Sequence, residues 1–195
     1  MTALAILDLD YGNTESIRLA FARLGAETTL VRDAGAVADA ERLVLPGVGA
    51  APFAMARLQA LDLVDAVRAR TKPSLGICLG MQLLFTKSAE GDTEMLGIVP
   101  GEVCALQPAA GAPVPHMGWS RLSGGAGTVG MEEGSHVYFA HSFLCDDGPW
   151  TAARCEYGGR PIPAALRHRA WWGAQFHPER SSAAGAAFLS AFLSS

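Results

Sequence analysis

"KPSLGICLGMQ", residues 72–82, runs an apolar stretch into one cysteine set between two glycines. "KPSLGIC" (72–78) reads as a buried strand and "LGMQLLFTKS" (79–88) as a helix directly behind it. Cys78 then stands at a strand-to-helix corner, the pattern of a nucleophile elbow. Gly76 and Gly80 permit the sharp turn and close packing around it. Such a turn lifts the side chain to the carboxyl end of the sheet, where open α/β sheets bind ligands. The unpaired N–H groups and positive dipole end of the helix favour thiolate, the nucleophilic form. The competing reading is a buried structural cysteine, since free cysteines are among the most buried residues. Cys104, Cys145 and Cys155 lack the elbow context and keep that reading.

Upstream of the corner, strand and helix alternate. "ALAILDL" (3–9), "ETTLV" (27–31) and "RLVLPG" (42–47) have the composition of buried strands. "NTESIRLAFARLG" (13–25) reads as a helix capped by Asn13 or Thr14 and stopped by Gly25. Its apolar face is Ile17, Leu19, Ala20, Phe21 and Leu24. Residues 51–71 carry helical spacing with a break near Leu61-Asp62. This rhythm predicts an α/β fold, a mostly parallel sheet covered by helices. From Gly97 onward glycine and proline recur between short β-like runs, which predicts additional, partly antiparallel strands. A last helix follows, with Ser181 or Ser182 as cap and Phe188, Leu189, Phe192 and Leu193 on one side.

The chain has 195 residues, half of them hydrophobic, enough for one domain (1–195) with a sizeable core. The net charge of −4 is interspersed and there is no basic block, which argues against a nucleic-acid partner. "AAGAAFLSAFL" (183–193) is too short to span a membrane. The N-terminus meets Asp8 and Asp10 early and reads as a strand, not a signal peptide. The four cysteines lack CxxC spacing, so free thiols in a reducing cytoplasm are the expectation. No His/Cys cluster has metal-ligand spacing, and no metal or cofactor is expected.

A cysteine nucleophile needs a base. His177 follows the apolar run "AWWGAQF" in "QFHPE", with Glu179 two residues on. Pro178 favours an extended His177, so the carboxylate can accept an imidazole N–H and fix the ring. A surface turn is the alternative. "LPGVGAAPF" (45–53) also follows a strand, and Gly47 and Gly49 free the backbone around Val48. It is an ordinary Pro-Gly turn or, beside an elbow, an oxyanion hole partnered by the Leu79 N–H. No G-K-[ST] follows, so it is not a phosphate loop.

Together these features resemble the class I, triad-type glutamine amidotransferases over nearly the whole chain. The narrower resemblance is to the glutaminase subunits of imidazole glycerol phosphate synthases. It rests on "GNTES" (12–16), "LPGVGAAPF", "GICLGMQLLF" (76–85), "PHMGWS" (115–120), "YFAHSF" (138–143) and "GAQFHPERS" (173–181). The resemblance implies Cys78 as nucleophile, His177 as base and Glu179 as its orienter. It implies Gln82 and Glu90 at the amino-acid end of L-glutamine, and backbone around His141, Ser142 and Phe143 for its carboxylate. Gly47, Val48 and Gly49 would supply the second oxyanion donor. Asn13, His116, Met117, Trp119 and Ser120 would lie at or near the docking face for a (β/α)₈-barrel cyclase subunit that accepts the ammonia. Five positions depart from the pattern: Ser120 for the usual Asn, Phe143 for an aromatic hydroxyl, Arg180 for Lys, and Pro161 with Pro163 in an expected hairpin. Two alternatives stand beside this reading, the glutaminase subunit of another synthase, such as that for pyridoxal phosphate, and a non-catalytic binding module.

Overall fold

The computed structural model describes residues 3–10 and 12–195. The first half alternates as expected, with one helix (α2) that the sequence reading did not assign: β1 (Ala3–Leu7), α1 (Thr14–Arg23), β2 (Glu27–Val31), α2 (Ala34–Asp39), β3 (Arg42–Leu45), α3 (Ala51–Ala60), α4 (Val64–Arg68) and β4 (Ser74–Ile77). Then come α5 (Leu79–Gln82), β5 (Lys87–Ser88), β6 (Thr93–Glu94) and β7 (Glu102–Ala105). The second half adds β8 (His116–Arg121), β9 (His136–His141), β10 (Phe143–Cys145), β11 (Thr151–Tyr157), β12 (Arg160–His168), β13 (Trp171–Ala174) and α6 (Ser182–Leu193). The main sheet runs β11-β12-β13-β4-β3-β1-β2, parallel from β13 to β2 and antiparallel beyond. A four-stranded sheet (β10-β7-β5-β6) and the β8-β9 ribbon lie beside it.

Both faces of β1, β3, β4 and β13 are covered, which is why they read as apolar runs, whereas the edge strand β2 buries only Val31. Leu4, Ile6, Val44, Leu75, Ile77 and Trp172 pack with Phe21 of α1 and Phe188 and Phe192 of α6. The alternate residues Ala5, Leu7, Leu43, Leu45 and Trp171 pack with Val37, Leu58 and Val67 of the opposite helices. Asn13 caps α1 by accepting the Ser16 N–H at 3.2 Å, and Asp33 caps α2 through the Ala36 N–H at 2.8 Å. Asp62, in the left-handed region at φ 54°, makes the break between α3 and α4.

Three expectations are corrected. The helix after Cys78 ends at Gln82 instead of running to residue 88. The carbonyls needed for its next turn are already taken: Leu83 O accepts from Leu96 N, Leu84 O from Ile98 N and Val99 N, and Phe85 O from Gly97 N. Pro161 and Pro163 do not prevent strand pairing, because β12 registers with β13 only from Ala165 onward and has β11 alone beside the prolines. Leu19, assigned to the apolar face of α1, is 41% exposed.

Candidate active site

β4 and β13 are parallel neighbours, with Ala174 opposite Ile77. One residue beyond Ile77 comes Cys78, and three beyond Ala174 comes His177. The sheet register therefore delivers both to one end of the same strand pair. Cys78 takes φ 53° and ψ −113°, a conformation that costs an L-residue energy unless its surroundings enforce it. Its N–H donates to Ala174 O at 2.7 Å, and its carbonyl accepts from Met81 N at 3.0 Å and Gln82 N at 3.2 Å. Close packing on Gly80 does the rest. A Cβ at Gly80 would lie 2.0 Å from Leu45 O, and one at Gly47 would lie 2.2 Å from Gly80 N.

His177 is held from both sides. Its Nδ1–H donates to Glu179 Oε1 at 2.8 Å, which leaves Nε2 for Cys78. Its backbone N–H donates to Tyr138 O at 2.8 Å, and its carbonyl accepts from Ser181 Oγ at 2.6 Å. Ser181 Oγ in turn accepts the Tyr138 N–H at 3.0 Å. That hydroxyl, expected as a helix cap, instead ties the His177 loop to β9. Burial pushes the His177 pKa down, but hydrogen bonds to Cys78 and then Glu179, with the charges of both, raise it to about 10. Both neighbours therefore favour the protonated form of the imidazole.

Cys78 and His177 open into a cavity of about 420 Å³. Val48, Gly49, Leu79, Gln82 and Glu90 line one part of it, and His141, Ser142 and Phe143 another. Gln82 Nε2 donates to Phe143 O at 3.0 Å and to Gln175 Oε1 at 2.9 Å, and Gln175 Nε2 lies 3.8 Å from Cys78 Sγ. Glu90 Oε2 accepts the Ala51 N–H at 2.7 Å, so it anchors the start of α3 as well as facing the cavity. A thiol, an imidazolium, a carboxylate and nearby backbone donors form a set suited to acyl transfer through a thioester.

The sequence profile of the glutamine amidotransferase class-I family matches residues 5–194. The chain belongs to the class-I glutamine amidotransferases. It is 46% identical over 196 residues to the imidazole glycerol phosphate synthase subunit HisH of Xanthomonas axonopodis pv. citri, covering 99% of this chain and 98% of that protein. The HisH subunit of Escherichia coli K12 is 45% identical over 192 residues, covering 96% and 97%. Among solved structures, a glutamine amidotransferase superposes with a TM-score of 0.76 at 20% identity, covering 97% of each chain. PurLQS from Thermotoga maritima superposes with a TM-score of 0.70 at 20% identity over 98% of this chain and 97% of that one. These two likenesses concern the class-I amidotransferase fold.

Within this amidotransferase, the residues expected at the docking face divide. Asn13 is exposed, Met117 is 65% exposed and lines the cavity, and Trp119 is 51% exposed on the same face of β8. His116 is instead 1% exposed, because β8 alternates and turns it inward, and the Ser120 hydroxyl lies 2.8 Å from its Nε2. Gly47 is packed under the elbow and does not line the cavity as Val48 and Gly49 do. The roles of two residues escaped the sequence reading, those of Gln175 and Ser181. Gln175 is the one polar side chain in the apolar run 170–176, and that was the available signal. Among the described residues no group of three His, Cys, Asp or Glu could hold a metal, and no helix is long and apolar enough to cross a membrane.

Proposed function

We propose that this chain is the glutaminase subunit of an imidazole glycerol phosphate synthase, acting as one domain in the cytoplasm. The observation that carries the reading is Cys78 on its strained corner, at the same end of the β4-β13 pair as a His177 whose Nδ1 is 2.8 Å from Glu179. The 46% identity to a synthase subunit over nearly all of both chains supports the narrower assignment.

Cys78 thiolate attacks the side-chain amide carbon of L-glutamine. Backbone N–H groups at Leu79 and in the Gly47-Val48-Gly49 loop stabilise the tetrahedral oxyanion. His177 gives its proton to the departing amine, so ammonia leaves and a thioester forms. Acylation of Cys78 alters one of the two residues that raise the His177 pKa. The imidazole becomes free to act as base, take a proton from water and deliver hydroxide to the thioester. Glutamate departs and the thiolate–imidazolium pair returns. The balance is glutamine and water to glutamate and ammonia. Gln82 and Glu90 hold the amino-acid end of the substrate, and backbone at His141, Ser142 and Phe143 receives its carboxylate.

The relatives are named as subunits, which implies a partner. We assign that partner as a (β/α)₈-barrel cyclase docked over the exposed Met117 and Trp119 of β8, where it receives the ammonia. The test is reconstitution with the cyclase and its phosphoribulosyl acceptor. Glutamate release matched by imidazole glycerol phosphate formation is the expected result. A complex that forms product from ammonium but never from glutamine overturns the reading.

A further inference from the structure

We propose that Ser120, His116 and His141 form a one-way hydrogen-bond chain that positions the wall of the substrate pocket from the back of the docking strand. The proposal rests on the reading of the Cys78 cavity as a glutamine site. Strand β8 has two faces: Met117 and Trp119 point outward, while His116 and Ser120 point in. Register pairs His116 with His141 across the β8-β9 ribbon. The His116 ring is stacked between Phe139 (centroids 4.5 Å apart) and Tyr157 (3.8 Å), and Tyr157 is pinned by donating its O–H to Pro113 O at 2.6 Å. The imidazole has no room to turn.

The proton positions follow from one carbonyl. Phe143 O can only accept, so His141 Nδ1, 2.8 Å away, carries the hydrogen. Neutral His141 then has a lone pair on Nε2, so His116 Nδ1, 3.0 Å away, must donate to it. Neutral His116 has its lone pair on Nε2, so the Ser120 O–H, 2.8 Å away, donates inward. Both rings are neutral at pH 7, because burial lowers each pKa to about 4. Reversing either ring would set two lone pairs or two N–H groups face to face. The chain has one proton arrangement, and its bonds reinforce one another.

The chain ends where the pocket begins. Phe143 O also accepts from Gln82 Nε2, whose second hydrogen goes to Gln175 Oε1. Both N–H bonds of the Gln82 amide are thereby committed. That leaves its Oε1 as the acceptor available to the cavity it lines. The strand that meets the partner on its outer face therefore fixes, through its inner face, the carbonyl on which Gln82 is oriented. Ser120, His116 and His141 are positioning residues in this scheme.

Imidazole ¹⁵N NMR on the full chain, alone and with the cyclase, tests the chain directly. At pH 7 both rings are expected neutral and protonated on Nδ1. An Nε2–H tautomer at either ring overturns the proposal without reference to any substrate. Steady-state kinetics of the complex, normalised to ammonium-fed turnover of the same preparation, tests the positioning. Ser120→Ala should raise KM for glutamine by about 2- to 10-fold, the weight of one neutral hydrogen bond, with a smaller change in kcat. Ser120→Thr keeps the hydroxyl and should restore the wild-type KM. His116→Phe keeps the stack but breaks both bonds, and should raise KM further. A wild-type KM in folded Ser120→Ala, or no rescue by Thr, overturns the proposal. A wild-type complex that leaves glutamine intact overturns the glutaminase reading instead, and the tautomers still decide the chain.

Discussion

Replacing Cys78 by alanine should change how His177 titrates, and by a predictable amount. Burial lowers the His177 pKa, yet hydrogen bonds and charge from Cys78 and Glu179 lift it to about 10. An opposite charge at this range supports a protonated group by roughly 1–3 pH units, so Cys78→Ala should titrate at about 7–9. Long-range ¹⁵N–¹H spectra of His177 across pH 5–11 would read this directly. The sign for stability follows from the same shift. The folded pKa lies above the unfolded value of about 6.5, so the contribution is fully present below about pH 6.5. It is lost as pH rises through about 10. Urea unfolding should show wild-type stability falling as pH approaches 10, and Cys78→Ala should lose less of it. A wild-type His177 titrating near 6.5, or a Cys78→Ala protein still titrating near 10, would refute the claim that Cys78 raises the imidazole pKa.

Other outcomes follow from the same geometry. A glutamine-like electrophile should label Cys78 first. Cys104 is exposed but its pKa is raised by partial burial, Asp146 and Glu102, and burial pushes Cys145 well up and Cys155 to about 12. Peptide mass mapping that finds Cys104 modified first contradicts this. Gly80→Ala sets a methyl 2.0 Å from a backbone oxygen that no side-chain rotation relieves. It should cost on the order of 3 kcal/mol in urea unfolding and abolish activity; a stable, active variant would show that the elbow does not need this contact. Val48→Pro deletes the N–H assigned to the oxyanion. It should lower partner-stimulated turnover by about 10²–10³ while sparing Cys78 alkylation, and full activity would remove Val48 from the oxyanion hole.

Local patterns carried the strand-helix alternation, because β1, β3, β4 and β13 are buried on both faces and α1 begins at its own side-chain cap, Asn13. The elbow at Cys78 and the His177-x-Glu179 spacing were legible for the same reason, since their geometry is set within a few residues. What the sequence hid depends on distant partners. The helix after Cys78 is cut short by Leu96–Val99, which take its carbonyls from beyond two small strands. The strand through Pro161 and Pro163 is tolerated only because β13 stops short of them. Ser181 reads as a helix cap until β9 is brought within 3.0 Å of it. The inward turn of His116 becomes visible only with the β8-β9 register, which no local spacing encodes.

The central claim is that Cys78, His177 and Glu179 release ammonia from glutamine for a docked cyclase. Glutamine labelled with ¹⁵N at its side-chain amide tests it most directly, in the reconstituted complex with unlabelled ammonium in the buffer. The account predicts that the wild-type product carries ¹⁵N from glutamine. It predicts that the product of the Cys78→Ala complex carries only unlabelled nitrogen from ammonium. A wild-type product without the label, or a Cys78→Ala product that still acquires it, would contradict the account.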